Sequence, residues 1–333
     1  MLARGIESVR RVWDQPVPAA LSRRHILAGL ALFFFVLQGV TGILLLVYYR
    51  PSVDAAYHSI GVINDEVNLG WLVRSLHVWG SDLLILCGLL HLLRVYFARA
   101  YRAPRRFGWV FGMLLMVVVL AFGFTGGLLP WDQFAYWSVD AAKDTIAAIP
   151  VVGSSLLNVF WGGWDLGEEV LLRFYAFHVA ILPWIAIGCL AGHLILSLRA
   201  DGTPAADAPP ALASRVTVAD GALDALALSL LVGGLLLTVA VVYPQPLLAP
   251  ADPLSPLPHV QPRWYLLPAR WLLRHLPGTA GAVVVATLFI VLLAVPFIDR
   301  KPHESAAGGV IRWSLGIVAV AAWLFMALMQ YLS

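Results

Sequence analysis

The sequence is short of charge. Of its 333 residues only 12% are Asp, Glu, Lys or Arg, against 60% hydrophobic, where a water-soluble domain carries about a quarter charged residues. A chain so depleted cannot clothe a globule in polar surface, which excludes the ordinary soluble enzyme and makes lipid its solvent. Cysteine is nearly absent as well. Cys87 and Cys189 both sit in apolar runs without any ligand-like spacing, which excludes a disulfide framework and a cysteine-based zinc site, and both read as small buried hydrophobes. There is no internal repeat and no low-complexity tract. The first apolar run follows about 25 residues with Arg4, Arg10, Arg11, Arg23 and Arg24 and no small-residue cleavage pattern, so it reads as a span and not as a removed leader. The net charge of +3 does not argue for nucleic acid, because the basic residues flank apolar runs.

What the chain does have is seven apolar stretches of about 20 residues, the length that crosses a bilayer core. They cover roughly 26–48, 77–98, 109–129, 174–198, 223–243, 279–298 and 310–332. The expected fold is an all-α integral membrane protein: a four-helix bundle over 1–200, a cytoplasmic linker over 201–222 rich in Ala, Asp and Pro, and three further transmembrane helices over 223–333. Arg99, Arg102, Arg105 and Arg106 follow the second span and Arg300 and Lys301 the sixth, whereas the loop after the third carries Asp132, Asp140, Asp144, Asp165, Glu168 and Glu169. The positive-inside rule then puts the amino terminus in the cytoplasm.

Four of the nine histidines lie inside spans: His77 and His91 in the second, His178 and His193 in the fourth. Polar groups at membrane depth are expensive and signal function. A separation of 14 residues is close to four helical turns, about 21 Å, and 15 residues is about 22 Å. Each helix therefore carries one histidine per leaflet on nearly one face. Both spans run outside to inside, so His77 can face His178 and His91 can face His193. Two facing imidazoles are a natural axial pair for haem iron; the alternative is four hydrogen-bonded interhelical histidines with no cofactor. Gly29, Gly39 and Gly42 in the first span and Gly112, Gly123, Gly126 and Gly127 in the third would admit a porphyrin close to the backbone, or would serve helix–helix packing. Arg74 and Arg94 stand three residues from His77 and His91, placed to pair with haem propionates or to act as flanking charge.

Several segments carry a resemblance. YYRPSVDAAY (48–57), EVNLGWLVRSLHVWGS (66–81), HLLRVY (91–96), TGGLLPWDQFAYW (125–137) and RFYAFHVAILP (173–183) closely resemble cytochrome b, most of all the b6 form. ADPLSPLPHVQPRWYLLPARWLLRHLP (251–277) resembles its companion, subunit IV, here fused in one chain. The resemblance implies two non-covalent b haems, with His77 and His178 ligating the outer iron and His91 and His193 the inner one. It implies a quinol site walled by Trp131, Asp132 and Tyr136 together with Arg263, Trp264 and Tyr265, and Arg199 beside a cytoplasmic quinone site. It further implies an iron–sulfur partner of the Rieske type, a c-type cytochrome, a homodimer, and an energy-transducing membrane such as the bacterial inner membrane.

Two positions depart from the family. Where it has Pro-Glu-Trp-Tyr, with a carboxylate that accepts a quinol proton, this chain has Pro262-Arg263-Trp264-Tyr265. Arginine, with a pKa above ~12, cannot accept that proton. Asp132, Asp140 and Asp252 are the acids that sequence offers as candidates for another base. Ile26 stands where b6 proteins attach an extra haem through cysteine, so no covalent haem is expected. Two rivals stay open: a cytochrome b relaying electrons to a different partner without bifurcation, and a colourless membrane anchor or transporter. His259 is the loop histidine expected nearest the quinol pocket; His25, His58, His275 and His303 are expected at surfaces.

Overall fold

The computed structural model describes residues 14, 16–18, 26–147, 149, 153–201, 215–257, 260–276, 279–300 and 305–332. Its elements are β1 (Pro16–Pro18), α1 (Ile26–Leu46), α2 (Ala56–Asp65), α3 (Gly70–Phe97), α4 (Arg106–Leu128), α5 (Gln133–Ala147), α6 (Gly153–Phe160), α7 (Glu168–Ala176), α8 (Leu182–Asp201), β2 (Arg215–Thr217), α9 (Val218–Val242), α10 (Leu267–His275), α11 (Ala280–Ile298) and α12 (Ala306–Leu332). A π turn (Phe177–Ile181) joins α7 to α8, and a short 3-10 turn (Trp264–Leu266) precedes α10. Among the described residues seven helical stretches are long and apolar enough to span a bilayer: α1, α3, α4, α7 with α8, α9, α11 and α12. The protein is an all-α membrane protein. The amino-terminal arginines, the 202–214 stretch, Lys301, His25, His259 and His303 lie outside the described residues.

Two spans start six or seven residues earlier than hydropathy indicates. α3 begins at Gly70, because Arg74 does not end the helix: its guanidinium donates to the Gln245 carbonyl at 2.8 Å and is buried. The fourth span begins at Glu168, where two glutamates occupy the first turn and favour the positive end of the helix dipole. α9 opens on a capping box, Thr217 Oγ1 accepting from the Asp220 N–H at 3.1 Å and the Asp220 carboxylate from the Thr217 N–H at 2.8 Å, which satisfies two otherwise orphaned donors.

The chain forms two compact units that do not follow chain order. The first gathers residues up to 47, 67–91 and 201–245. Its core is Leu30, Phe34, Cys87 and Leu236. Gly29 lets α1 approach α9, since a Cβ there would stand 3.2 Å from that of Ala225. Trp79 Nε1 and Arg74 donate to the carbonyls of Tyr243 and Gln245, and Ser75 Oγ accepts from the Gln245 N–H, so the end of α9 is pinned to the start of α3. β1 and β2 pair antiparallel within this unit.

The second unit holds 48–66, 92–200 and 246–333. One core surrounds Trp161, with Leu128, Trp131, Tyr136, Leu157, Val170, Leu171 and Phe174. Another surrounds Tyr101, Trp109 and Met113, where Trp109 Nε1 donates to the Leu292 carbonyl at 2.9 Å. At the end of α11 Asp299 accepts two hydrogen bonds from Arg99, one at 2.9 Å, and one from Tyr101 at 2.8 Å. Burial acts to raise the Asp299 pKa, but the Arg99 and Tyr101 hydrogen bonds and the Arg99 charge outweigh it, so the carboxyl sits below its ordinary value. Ile43, Trp184, Leu230, Ile290 and Val318 are exposed. Water would not tolerate such a surface; a helix facing hydrocarbon requires it.

Candidate functional site

In the first unit His77 projects from α3 towards α1. Its Nδ1 lies 2.8 Å from Thr41 Oγ1, and the Thr41 hydroxyl lies 2.7 Å from the Leu37 carbonyl. A hydroxyl has one proton. With that proton donated to Leu37, Thr41 Oγ1 accepts from the His77 Nδ1–H, and Nε2 is the unprotonated nitrogen of the ring. The next residue is Gly42, where a Cβ would stand 3.3 Å from His77 Cε1. The glycine gives the ring its place and the threonine its tautomer.

The second unit repeats the device. His178 Nδ1 lies 3.2 Å from Thr125 Oγ1, whose hydroxyl donates to the Ala121 carbonyl at 2.8 Å. The following Gly126 is tighter than Gly42: a Cβ would stand 2.5 Å from His178 Cε1. At the other end of α4, His193 Nδ1 lies 2.8 Å from the Gly108 carbonyl, and a Cβ on Gly112 would meet its ring at 3.1 Å. A carbonyl only accepts, so Nδ1 again holds the proton. Three imidazoles are thus set as Nδ1–H, Nε2-lone-pair rings, the state a metal ligand needs and the outer-sphere bond that steadies it. The donor set and the glycine cradles fit haem iron. His91 and Arg94 are half-buried on α3. Thr41 and Thr125 escape a reading based on histidines and glycines alone, yet the Thr-Gly dipeptide at 41–42 and 125–126 is a visible repeat beside them.

The π turn explains the unequal histidine spacing. Fourteen residues of α-helix fall about 40° short of four turns and fifteen overshoot by about 60°. Pro183 has no N–H to give Val179, and its ring crowds that carbonyl. The chain widens there instead: Leu182 N–H donates to Phe177 O, a bond five residues long that takes up one extra residue. With that residue absorbed, His178 and His193 share a face much as His77 and His91 do.

The expected quinol-site residues divide. A cavity of about 270 Å³ in the second unit is lined by α4 (Gly123, Phe124, Gly127), by α5 (Phe134, Ser138, Val139, Ala141, Ala142, Ile146), by Pro262, Arg263, Tyr265 and Leu266, and by Ala269, Arg270 and Leu273 of α10. Of the six residues expected, Arg263 and Tyr265 line it. Trp264 packs edge-on against Trp323, centroids 6.0 Å apart. Trp131 is buried against Tyr136, with φ +51°, a left-handed conformation that costs a bulky residue energy. What holds it is backbone bonding on both sides: Trp131 N–H to the Leu128 carbonyl, and its own carbonyl accepting from Ala251 N–H at 3.1 Å.

No described carboxylate or imidazole lines that cavity. Asp132 caps α5, accepting from Ala135 N–H at 2.9 Å, and ties down the next segment through Leu248 N–H at 3.2 Å. Asp252 accepts from Ser255 Oγ and Leu254 N–H, which hold it below the usual carboxylate range. Asp140 pairs with Lys143 at 2.8 Å and lines an adjoining polar cavity of about 320 Å³ with Gln261, Arg270, Arg274 and Gln330. Arg270 and Ala141 are common to both cavities. Arg199, His58 and His275 are exposed.

Comparison with known proteins agrees with this architecture. The family model for cytochrome b/b6/petB matches residues 12–202, and that for cytochrome b (C-terminal)/b6/petD matches 250–333. A cytochrome bc complex cytochrome b subunit of Chlorobaculum thiosulfatiphilum is 35% identical over 299 residues, 86% of this chain and 68% of that protein. A cytochrome b6 of Heliomicrobium gestii is 43% identical over 192 residues, 57% of this chain and 90% of that protein. Among solved structures, a chain of a hyperthermophilic respiratory complex III superposes with TM-score 0.82 at 26% identity, covering 92% of this chain and 84% of that one.

Proposed function

The chain belongs to the cytochrome b family, and from that membership we propose that it is the di-haem subunit of a bc- or b6f-type quinol-oxidising complex, carrying electrons across an energy-transducing membrane. His77 with His178, and His91 with His193, are the axial ligands of two non-covalent b haems. Each haem, when bound, supplies a one-electron iron couple. The observation that carries the reading is the repeated presetting of imidazoles, Nδ1 engaged by Thr41, Thr125 or the Gly108 carbonyl, with Gly42, Gly126 or Gly112 against the ring. Interhelical histidines without a cofactor have no need of a uniform Nδ1-protonated tautomer seated against glycine. Arg74 and Arg94 balance propionate charge at the two faces. The cavity walled by Arg263 and Tyr265 takes the quinol ring, and an iron–sulfur subunit of the Rieske type, a c-type cytochrome and a second copy of the chain complete the complex. A pyridine haemochrome count with a redox titration tests this. Two extractable b haems per chain with two midpoint potentials are expected; one haem or none defeats the ligand assignment.

A second reading, relay to another partner without bifurcation, is favoured by the absence of a described carboxylate or imidazole from the cavity wall, because outer-site oxidation needs a base within hydrogen-bond reach. An oxidant pulse with the inner quinone site inhibited decides between them. Transient b-haem reduction belongs to bifurcation, and its absence belongs to the relay.

A further inference from the structure

The cavity that we assign to quinol is apolar apart from a few groups, and the charged ones are cations. Arg263 lines it from the segment before α10 and Arg270 from α10 itself. Arg270 is half-buried, and among the described residues no hydrogen-bond acceptor or carboxylate meets its guanidinium. It also stands one turn from Arg274, a like charge on the same helix. Burial first, and then Arg274, push the Arg270 pKa down. Across the cavity Ser138 Oγ is buried without a hydrogen-bond partner, and a buried hydroxyl left unsatisfied is destabilising until something pairs with it. A half-desolvated cation with a like-charged neighbour, and an idle donor hydroxyl across the same cavity, are complementary to one kind of guest, an oxyanion on an apolar ring.

We propose that this cavity binds its quinol-type ligand through an ionised ring hydroxyl, with Arg263 and Arg270 as counter-charges and Ser138 as hydrogen-bond donor. The proposal rests on the quinol reading above and makes it specific: the site favours acidic, enolate-forming quinoid rings over neutral ones. On binding, the ring O–H bond breaks heterolytically, the electron pair stays on oxygen, and the proton leaves to water. The other titratable groups about the ligand are Tyr265 on the wall, Asp140 and Arg274 at the adjoining cavity, and Lys143 paired with Asp140; α4 contributes none. Asp140 is salt-bridged to Lys143, so it does not cancel the arginine charge. In a low-dielectric pocket such a pairing is far stronger than in water, and an anion tenfold preferred corresponds to one pH unit of lowered pKa in the bound ligand.

The test uses the haem-loaded protein and a matched pair of probes, a 2-hydroxy-3-alkyl-1,4-naphthoquinone, which ionises, and its 2-methoxy counterpart, which cannot. Binding to this cavity is taken as the part abolished by Ala142→Phe, which fills it. The hydroxy probe is expected to bind at least tenfold tighter than the methoxy probe at neutral pH and to lose that margin as the pH falls and it becomes neutral. Arg270→Gln and Arg263→Gln are each expected to weaken the hydroxy probe about tenfold while leaving the methoxy probe within twofold, and Arg270→Lys to recover part of the loss. An unchanged haem spectrum in each variant shows that the fold is intact. Equal affinity for the two probes, or equal losses of both in the arginine variants, overturns the anion proposal and leaves the quinol reading standing. If neither probe occupies the cavity, the quinol assignment falls too.

Discussion

Replacing Gly126 by alanine puts one methyl group against a haem-ligand candidate. The added Cβ would stand 2.5 Å from His178 Cε1, 3.0 Å from Nδ1 and 3.2 Å from Nε2, where carbon atoms settle at about 3.5–4 Å. The ring must therefore retreat by about 1 Å. The alternative, shifting α4, disturbs the packing of Leu128 and Phe124 around Trp161 and Phe174, and close-packed interiors resist such shifts. Retreat stretches the 3.2 Å Thr125 contact, the bond that orients the imidazole. Losses of this outer-sphere kind lower metal affinity about 10–100-fold. Haem content of purified Gly126→Ala should then fall towards one per chain, with one of two midpoint potentials lost from the titration. Gly188→Ala is the matched control, because a Cβ there meets nothing within 4 Å; it should keep both haems. Gly42→Ala, at 3.3 Å from His77, should lie between. A Gly126→Ala protein holding two haems at unchanged potentials would refute the claim that this glycine makes room for the ring.

Three further outcomes are expected. Thr41→Val and Thr125→Val keep shape but take the threonine hydrogen bond from the His77 or His178 imidazole, a cost of about 0.5–1.5 kcal/mol each; the ligand becomes less basic, and one midpoint potential should rise in each variant on redox titration. Asp299→Asn should destabilise the protein at neutral pH. Since the folded carboxyl is held below its ordinary value, its contribution is present above the unfolded pKa and disappears as pH falls through the folded one, so thermal unfolding of variant and parent should converge in acid. Deleting Ala180 together with Pro183→Ala should close the π turn into ordinary α-helix and retain both haems, whereas deleting Gly188, beyond the turn, should rotate His193 off its face and lose one; haemochrome counts read both.

The seven spans and the four histidines were legible because lipid imposes a crude rule, apolar for 20 residues, against which an imidazole stands out. Limits were less legible: Arg74 reads as the edge of a span until its bond to the Gln245 carbonyl is known. Thr41 and Thr125 were hidden because a threonine inside a membrane helix ordinarily bonds its own backbone, as both also do here. The histidine spacing of 15 signalled an anomaly, but only the Leu182–Phe177 bond shows where the extra residue goes. Asp132 was ambiguous in principle, since a helix cap and a proton acceptor need the same carboxylate.

The packing of α9 on α1 bears on how the molecule can be assembled. Leu236 enters the same core as Leu30, Phe34 and Cys87, and the end of α9 is held to the start of α3 by three hydrogen bonds, two of them to its carbonyls. In the other unit, residues 248–251 bond to the backbone and side chain of Trp131 and Asp132. None of these contacts depends on the peptide bonds between residues 201 and 215. The two halves carry the means of recognising each other as separate polypeptides, so a chain interrupted there and made as two co-expressed pieces should reassemble into a single haem-binding protein.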